Sequence, residues 1–171
     1  TAFKNLGKAN TRGVEIGLSY DFSSLFTPMP ELHLGYTYLE TEITSGVIKS
    51  AVKAGNVNVS LKGNELPYAP RHTLVVGLAK KTQFGLRIRG DLRYTDKVYT
   101  DFENLERTSN RGDRGPVPAY SVANVSAEYE LFSNWNLFVA AKNILDEVYI
   151  GSRLHSNPGQ PEAHLSSGIL V

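Results

Sequence analysis

The sequence contains no cysteine, one methionine and one tryptophan among 171 residues. Without cysteine there is no disulfide scaffold, no thiolate metal site and no cysteine nucleophile. An excess of one charge is missing as well: 18 Lys and Arg face 17 Asp and Glu, a formal net charge of +1. A general nucleic-acid surface needs clustered basic charge, so nucleic acid is not an expected partner. Long apolar runs are also absent. The longest, over 74–79, is interrupted by Gly77, whereas a helix needs ~18–20 apolar residues to cross a bilayer. The opening Thr1-Ala2-Phe3-Lys4-Asn5 has no apolar stretch, so no signal peptide is expected over these residues. A membrane β-barrel stays open, because its alternating strands average to a mildly negative mean hydropathy, as this chain does.

What the sequence does have is period two. Val14, Ile16, Leu18, Tyr20 and Phe22 alternate with Glu15, Gly17, Ser19 and Asp21. A second alternation sets Leu32, Leu34, Tyr36 and Tyr38 against His33, Gly35 and Thr37, and a third carries Leu74, Val76 and Leu78. The fourth places Phe84, Leu86, Ile88, Leu92 and Tyr94 opposite Gly85, Arg87, Arg89, Asp91 and Arg93. Two more follow, on Ala123, Val125, Ala127 and Tyr129, and on Leu137, Val139 and Ala141. Such alternation predicts strands with one apolar and one polar or small face. No segment carries a helical period. The spans 12–22 and 84–99 exceed ordinary strand length and match the ~9–11 residues of a tilted spanning strand.

The connections sort by length. Those over 23–30, 80–83 and 131–135 are short, and those over 41–71, 96–119 and from 146 onward are long and rich in Gly, Asn, Pro and charge. Successive antiparallel strands send alternate connections to opposite ends of a sheet. Short turns therefore gather at one end and long loops at the other, the asymmetry of outer-membrane barrels. Tyr20, Phe22, Tyr36, Tyr38, Phe84, Tyr94, Tyr120, Tyr129 and Trp135 fall near strand ends, where an aromatic girdle meets lipid headgroups. The competing architecture is a soluble antiparallel β-sandwich acting as a binding or adhesion module, in which the same alternation separates core from solvent. The two differ in one respect: in a sandwich the Val14, Ile16 and Leu18 row packs against a second sheet.

Four segments carry a family resemblance. Asn5-Leu6-Gly7-Lys8-Ala9-Asn10-Thr11-Arg12-Gly13-Val14-Glu15 resembles a strand opening of TonB-dependent outer-membrane receptors. Leu66-Pro67-Tyr68-Ala69-Pro70-Arg71-His72-Thr73, Val117-Pro118-Ala119-Tyr120-Ser121-Val122 and Lys142-Asn143-Ile144-Leu145-Asp146-Glu147-Val148-Tyr149 are similar to later recurrent motifs of the same family, in the same order. The resemblance implies an all-β fold, an antiparallel transmembrane β-barrel wall segment of six or seven strands from a 22-stranded barrel. Residues 1–171 would then be the C-terminal portion of the barrel, without the plug domain and earlier strands. The chain stops at Gly168-Ile169-Leu170-Val171, short of the family's final strand and its terminal aromatic. The implied location is the bacterial outer membrane, with outer-membrane lipid around the wall. The implied function is TonB-energised uptake of a ferric siderophore or ferric dicitrate-type chelate, with the TonB complex acting through the plug.

No G-x-S-x-G, H-E-x-x-H, P-loop or dinucleotide glycine pattern occurs, so neither enzymatic activity nor a cofactor is expected. His155, Glu162 and His164 share one loop, but solvated loop residues are the expected reading, and the family's iron arrives already chelated. Arg87 and Arg89 are expected to pair with Asp91, Glu15, Glu128 or plug carboxylates. Arg93 lies nearer the long-loop end and is a candidate for contact with an anionic chelate. The connection 96–119 offers Tyr99, Asp101, Arg107, Arg111 and Arg114, with arginines to meet carboxylates and Tyr99 to stack or donate. Arg153 and His155 of the last loop complete the candidate set.

Overall fold

The computed structural model describes residues 7–22, 30–50, 52, 53, 55, 57–109, 112–132 and 135–153, with the backbone of 163–166. Its strands are β1 (Gly7–Asp21), β2 (Glu31–Lys49), β3 (Asn58–Ser60), β4 (His72–Lys81), β5 (Leu86–Thr95), β6 (Tyr120–Phe132), β7 (Trp135–Ala141), β8 (Tyr149–Arg153) and β9 (Ala163–Ser166). One seven-stranded sheet runs in the order β1-β2-β4-β5-β6-β7, with β3 beside the far end of β2, and β8 pairs β9 separately. Every pairing is antiparallel. Apart from β3, each strand of the large sheet lies beside its neighbour in sequence, as a meandering wall requires.

The register aligns the side chains across the strands, because residues paired directly share a face. One row reads Leu18, Leu34, Val76, Leu92 and Ala123, and the next Ile16, Tyr36, Leu74, Tyr94 and Ser121. The opposite face reads Ser19, His33, Gly77, Asp91 and Asn124. An apolar face therefore continues across strands from distant parts of the chain, and a polar and small one lies behind it. Among the described residues no second layer covers the apolar face: Val14, Ile16 and Leu18 are 58%, 51% and 54% exposed. A sandwich buries that row, so the soluble alternative does not describe this fold.

The well-buried apolar side chains sit elsewhere. Ile43, Leu61, Val98 and Val117 are buried at the long-loop end. Residues 61–71 ride along the upper part of β2, with Ile43 N–H donating to Asn64 O at 2.7 Å and Leu61 N–H to Gly46 O at 3.0 Å. This extension of β2 through Lys49 falls in a span that the sequence reads as connection. A bulge hides it: Lys8 pairs Ser45 while Ala9 pairs Ile43, so the alternation loses phase there.

Three other expectations change. β5 covers Leu86–Thr95 rather than 84–99, because Phe84 belongs to a tight turn in which Thr82 N–H donates to Leu86 O at 2.7 Å. Tyr120 pairs Thr95, which puts it on the polar face, where it stacks on Tyr149 with ring centroids 4.3 Å apart. It is therefore no part of an outer girdle. Finally, Arg87 and Arg89 pair with none of Asp91, Glu15 and Glu128 among the described residues. Asp91 instead accepts Asn124 Nδ2 at 2.8 Å.

Candidate ligand-binding site

The long connections fold onto one another. The 96–119 connection leaves β5 and closes at its base through Val98 and Val117, whose amides and carbonyls exchange hydrogen bonds of 3.0 and 2.9 Å. Its far part is a compact turn in which Ser109 N–H donates to Arg114 O at 3.1 Å. Gly115 makes the closure possible. It has φ +106°, and a Cβ there would lie 2.6 Å from Thr108 Cα, so a larger residue would be strained in backbone and space alike.

Between base and tip, residues 100–104 cross to the 61–71 segment. Asn64 Nδ2 donates to Phe102 O at 2.7 Å, Glu65 N–H donates to Asn104 Oδ1 at 2.6 Å, and Asn104 Nδ2 returns a bond to Glu65 O at 3.0 Å. Asn104 sits at φ +52°, a conformation asparagine tolerates better than most residues. Its amide thus replaces a missing strand partner for Glu65.

The third connection joins through Tyr68 and Arg153. Arg153 is 5% exposed. Its guanidinium donates to Gly112 O, to Pro116 O at 3.3 Å and to Thr108 Oγ1 at 3.5 Å, all on the 96–119 connection. Tyr68 N–H in turn donates to Tyr99 O at 2.8 Å. Three connections far apart in sequence are therefore tied into one layer above the wall.

Two of these connections, with the upper end of β2, border an open cleft of about 600 Å³. Leu66, Pro67, Tyr68 and Phe102 give it apolar surface, and Asp101, Glu103 and Arg114 give it charge. Asp101 is 8% exposed; Oδ1 accepts Leu105 N–H at 3.3 Å, while Oδ2 has no hydrogen-bond partner among the described residues. Arg114 Nε lies 3.7 Å from Asp113 Oδ2. Apolar walls with a few convergent polar groups are the common make-up of a small-molecule site.

Tyr99 occupies a different place. Lys97 Nζ lies 4.6 Å above the Tyr99 ring and donates to Tyr99 Oη at 3.2 Å and to Glu106 Oε2 at 3.3 Å, and Tyr99 donates to the same carboxylate. The tyrosine hydrogen bond, helped by that of Lys97, holds the Glu106 carboxyl below its ordinary range. The bond to Glu106, with burial second, pushes the Tyr99 phenol up.

Of the residues the sequence nominates, the structure brings Asp101 and Arg114 into one cleft. Arg107 is exposed on the same connection, and Arg93 stands exposed on the polar face at the loop end of β5. Arg153 spends its guanidinium on loop carbonyls. Arg111 and His155 lie outside the described residues, as does the side chain of His164. Sequence reasoning missed Tyr68, Asn64, Asn104 and Glu103. Only Tyr68 left a trace, as an aromatic bracketed by Pro67 and Pro70.

The family model of the TonB dependent receptor-like β-barrel matches residues 1–144. The chain belongs to this family. It is 26% identical over 172 residues to the probable TonB-dependent siderophore receptor PiuA of Acinetobacter baumannii, covering all of this chain and 21% of PiuA. It is 24% identical over 151 residues to the probable TonB-dependent receptor BfrD of Bordetella pertussis, covering 88% of this chain and 19% of BfrD. The crystal structure of the ferric citrate transporter FecA in its unliganded form superposes with a TM-score of 0.79 at 20% identity, over 95% of this chain and 23% of that one. The PiuA crystal structure gives 0.70 at 23% identity, over 95% and 21%. The chain thus spans about a fifth of the length of the relatives it matches. As part of a TonB-dependent receptor barrel it lies in the bacterial outer membrane, its apolar face toward lipid and its polar face inward.

Proposed function

We propose that this chain is wall and outer-loop structure of a receptor for TonB-energised uptake of a ferric chelate, of the siderophore or ferric dicitrate type. The observation that carries the reading is the cleft between the 61–71 segment and the 96–119 connection, where Asp101 and Arg114 share a lining with Tyr68. The names of PiuA and FecA, a siderophore receptor and a ferric citrate transporter, support the same ligand class. In this reading Arg114 meets ligand carboxylate or hydroxamate oxygen through charge-assisted hydrogen bonds. Arg93 and Arg107 line the approach, Arg111 and His155 are assigned to the ligand from the sequence alone, and Arg153 and Tyr99 keep the loops in place. The segment performs no bond chemistry of its own. The TonB complex acts through a plug formed elsewhere in the polypeptide.

The test uses the full-length receptor. Alanine at both Arg111 and Arg114 should weaken binding of ferric citrate or a ferric siderophore by about tenfold or more; unchanged affinity removes both from the site. Uptake should cease in cells lacking TonB while surface binding persists. Uptake that continues without TonB sinks the reading.

A further inference from the structure

The loop layer is held by bonds that run between every pair of its three connections. The 61–71 segment meets the 96–119 connection through Asn64 Nδ2 to Phe102 O, through the reciprocal pair of Glu65 and Asn104, and through Tyr68 N–H to Tyr99 O. The 96–119 connection meets β8 through the Arg153 guanidinium, which donates to Gly112 O, Pro116 O and Thr108 Oγ1. β8 in turn meets the 61–71 segment through Tyr68 Oη, which bonds both the carbonyl and the amide of Arg153. Ser50 Oγ also donates to Glu103 Oε2 at 2.7 Å, tying the end of β2 to the same layer. These contacts close a triangle. None of the three connections can swing away without breaking bonds to both of the others.

The joints on which a single loop would turn are occupied as well. Val98 and Val117 are buried and bonded to each other at the base of the 96–119 connection. Between base and tip, Thr100 Oγ1 donates to Gly115 O at 2.8 Å. The glycines of this connection, Gly112 and Gly115, are where its backbone could turn most readily. A Cβ at Gly112 would lie 3.9 Å from Arg153 Nη1, and one at Gly115 would lie 2.6 Å from Thr108 Cα. Both glycines are therefore packed. Donors and acceptors of all these bonds belong to this chain, so polypeptide elsewhere in the receptor supplies none of them.

We propose that the three connections form one cooperative body, pinned by Arg153, which opens as a unit or stays shut and does not work as three separate flaps. Local opening of a protein follows cooperative units set by buried contacts and hydrogen bonds, and here those bonds cross from one connection to the next. One consequence rests on the uptake reading above: Asp101 and Arg114 meet a chelate in a preformed arrangement, and closure over it falls to outer loops formed elsewhere in the polypeptide. The cooperativity itself needs no ligand.

The experiment is native-state hydrogen exchange on the full-length receptor in detergent micelles, without ligand. Asn104→Ala removes both bonds with Glu65 and touches neither Tyr68 Oη nor Arg153. One body predicts that protection then falls by a common factor, about tenfold, at the amides of Gly63, Val98 and Arg153. These bond to Ile43 O, Val117 O and Tyr68 Oη and so report one on each connection. Asn64→Ala cuts only the bond to Phe102 O and leaves the left-handed turn at Asn104 untouched. It should act on the same three amides to a smaller extent, and it decides the matter if Asn104→Ala does not fold. Two results overturn the proposal: an Arg153 amide unchanged while residues 61–71 and 100–106 exchange faster, or widely different protection of the three amides in the parent receptor. A failure of the Arg111 and Arg114 variants to weaken chelate binding would instead sink the receptor reading and leave the exchange result standing.

Discussion

The hydroxyl of Tyr68 closes on the main chain of Arg153 in both directions, donating to its carbonyl oxygen and accepting its amide N–H at 3.1 Å. A tyrosine side chain therefore serves the end of β8 as a neighbouring strand would. The arrangement carries a backbone cost, for Tyr68 sits at φ +56°, a left-handed conformation that bulky residues adopt at about 1–3 kcal/mol. Tyr68→Phe keeps the ring and the backbone and deletes only the two bonds. The expected loss is about 1–3 kcal/mol of local stability, read as faster amide hydrogen exchange at residues 149–153 of the full-length receptor. Exchange unchanged at Arg153 would show that another group holds β8.

Arg153 acts on the other side of the same junction. Its guanidinium serves carbonyls of Gly112 and Pro116 that accept no other hydrogen bond among the described residues. Arg153→Ala should cost about 2–3 kcal/mol, since bonds to a charged donor are the stronger kind, and should free the 108–116 turn. Limited proteolysis in intact outer-membrane vesicles would then cut near Arg107 and Arg114, sites expected to resist in the parent protein. Arg153→Lys keeps the charge but cannot reach three acceptors from one planar fork, so intermediate protection is expected.

The lipid-facing assignment makes a prediction of opposite sign on the two faces. Leu92 lies mid-strand in the apolar row and is 41% exposed. Arginine there would stand in hydrocarbon, at a cost of about 2–4 kcal/mol near the bilayer midplane. Thr37 is paired with Glu15 and Thr73 on the polar face, where the same substitution should cost little. Urea-dependent folding of the full-length barrel into lipid vesicles would compare the two. Equal destabilisation would mean that the faces are misassigned.

The strands were legible because period two survives in each one where lipid lies on one side. Legibility ended where loops replaced lipid. The upper part of β2 buries Thr41 and Ile43 beneath residues 61–66, and the bulge at Thr44 breaks the alternation that would have revealed it. Arg153 reads as an exposed loop cation because nothing nearby in sequence announces the carbonyls of Gly112 and Pro116 that bury it. The cleft was half legible: Asp101 and Arg114 stand out as charges in a long connection. Tyr68 and Asn104 act through φ values and long-range hydrogen bonds that no local pattern encodes. Arg87 and Arg89 were the reverse case, since Asp91, next along the same face, invited a pairing that Asn124 takes.

The Lys97, Tyr99 and Glu106 group sets a pH window for the outer connection. The carboxyl of Glu106 is held below its ordinary range in the folded state. Its contribution is therefore complete above the ordinary carboxylate range and disappears as pH falls through the lowered folded value. Tyr99 and Lys97 are both pushed up, Tyr99 first by its bond to Glu106 and Lys97 first by its bond to Tyr99. Their contributions are complete below the ordinary phenol and ammonium ranges and vanish as pH rises through the raised values. The connection should thus be tightest between roughly pH 5 and 9, with protection factors for residues 96–108 falling on both sides. Glu106→Gln removes the acid limb because an amide does not titrate there, and Tyr99→Phe removes the phenol's part of the alkaline limb. A profile that keeps its acid limb in Glu106→Gln would place the titrating group elsewhere in the loop layer.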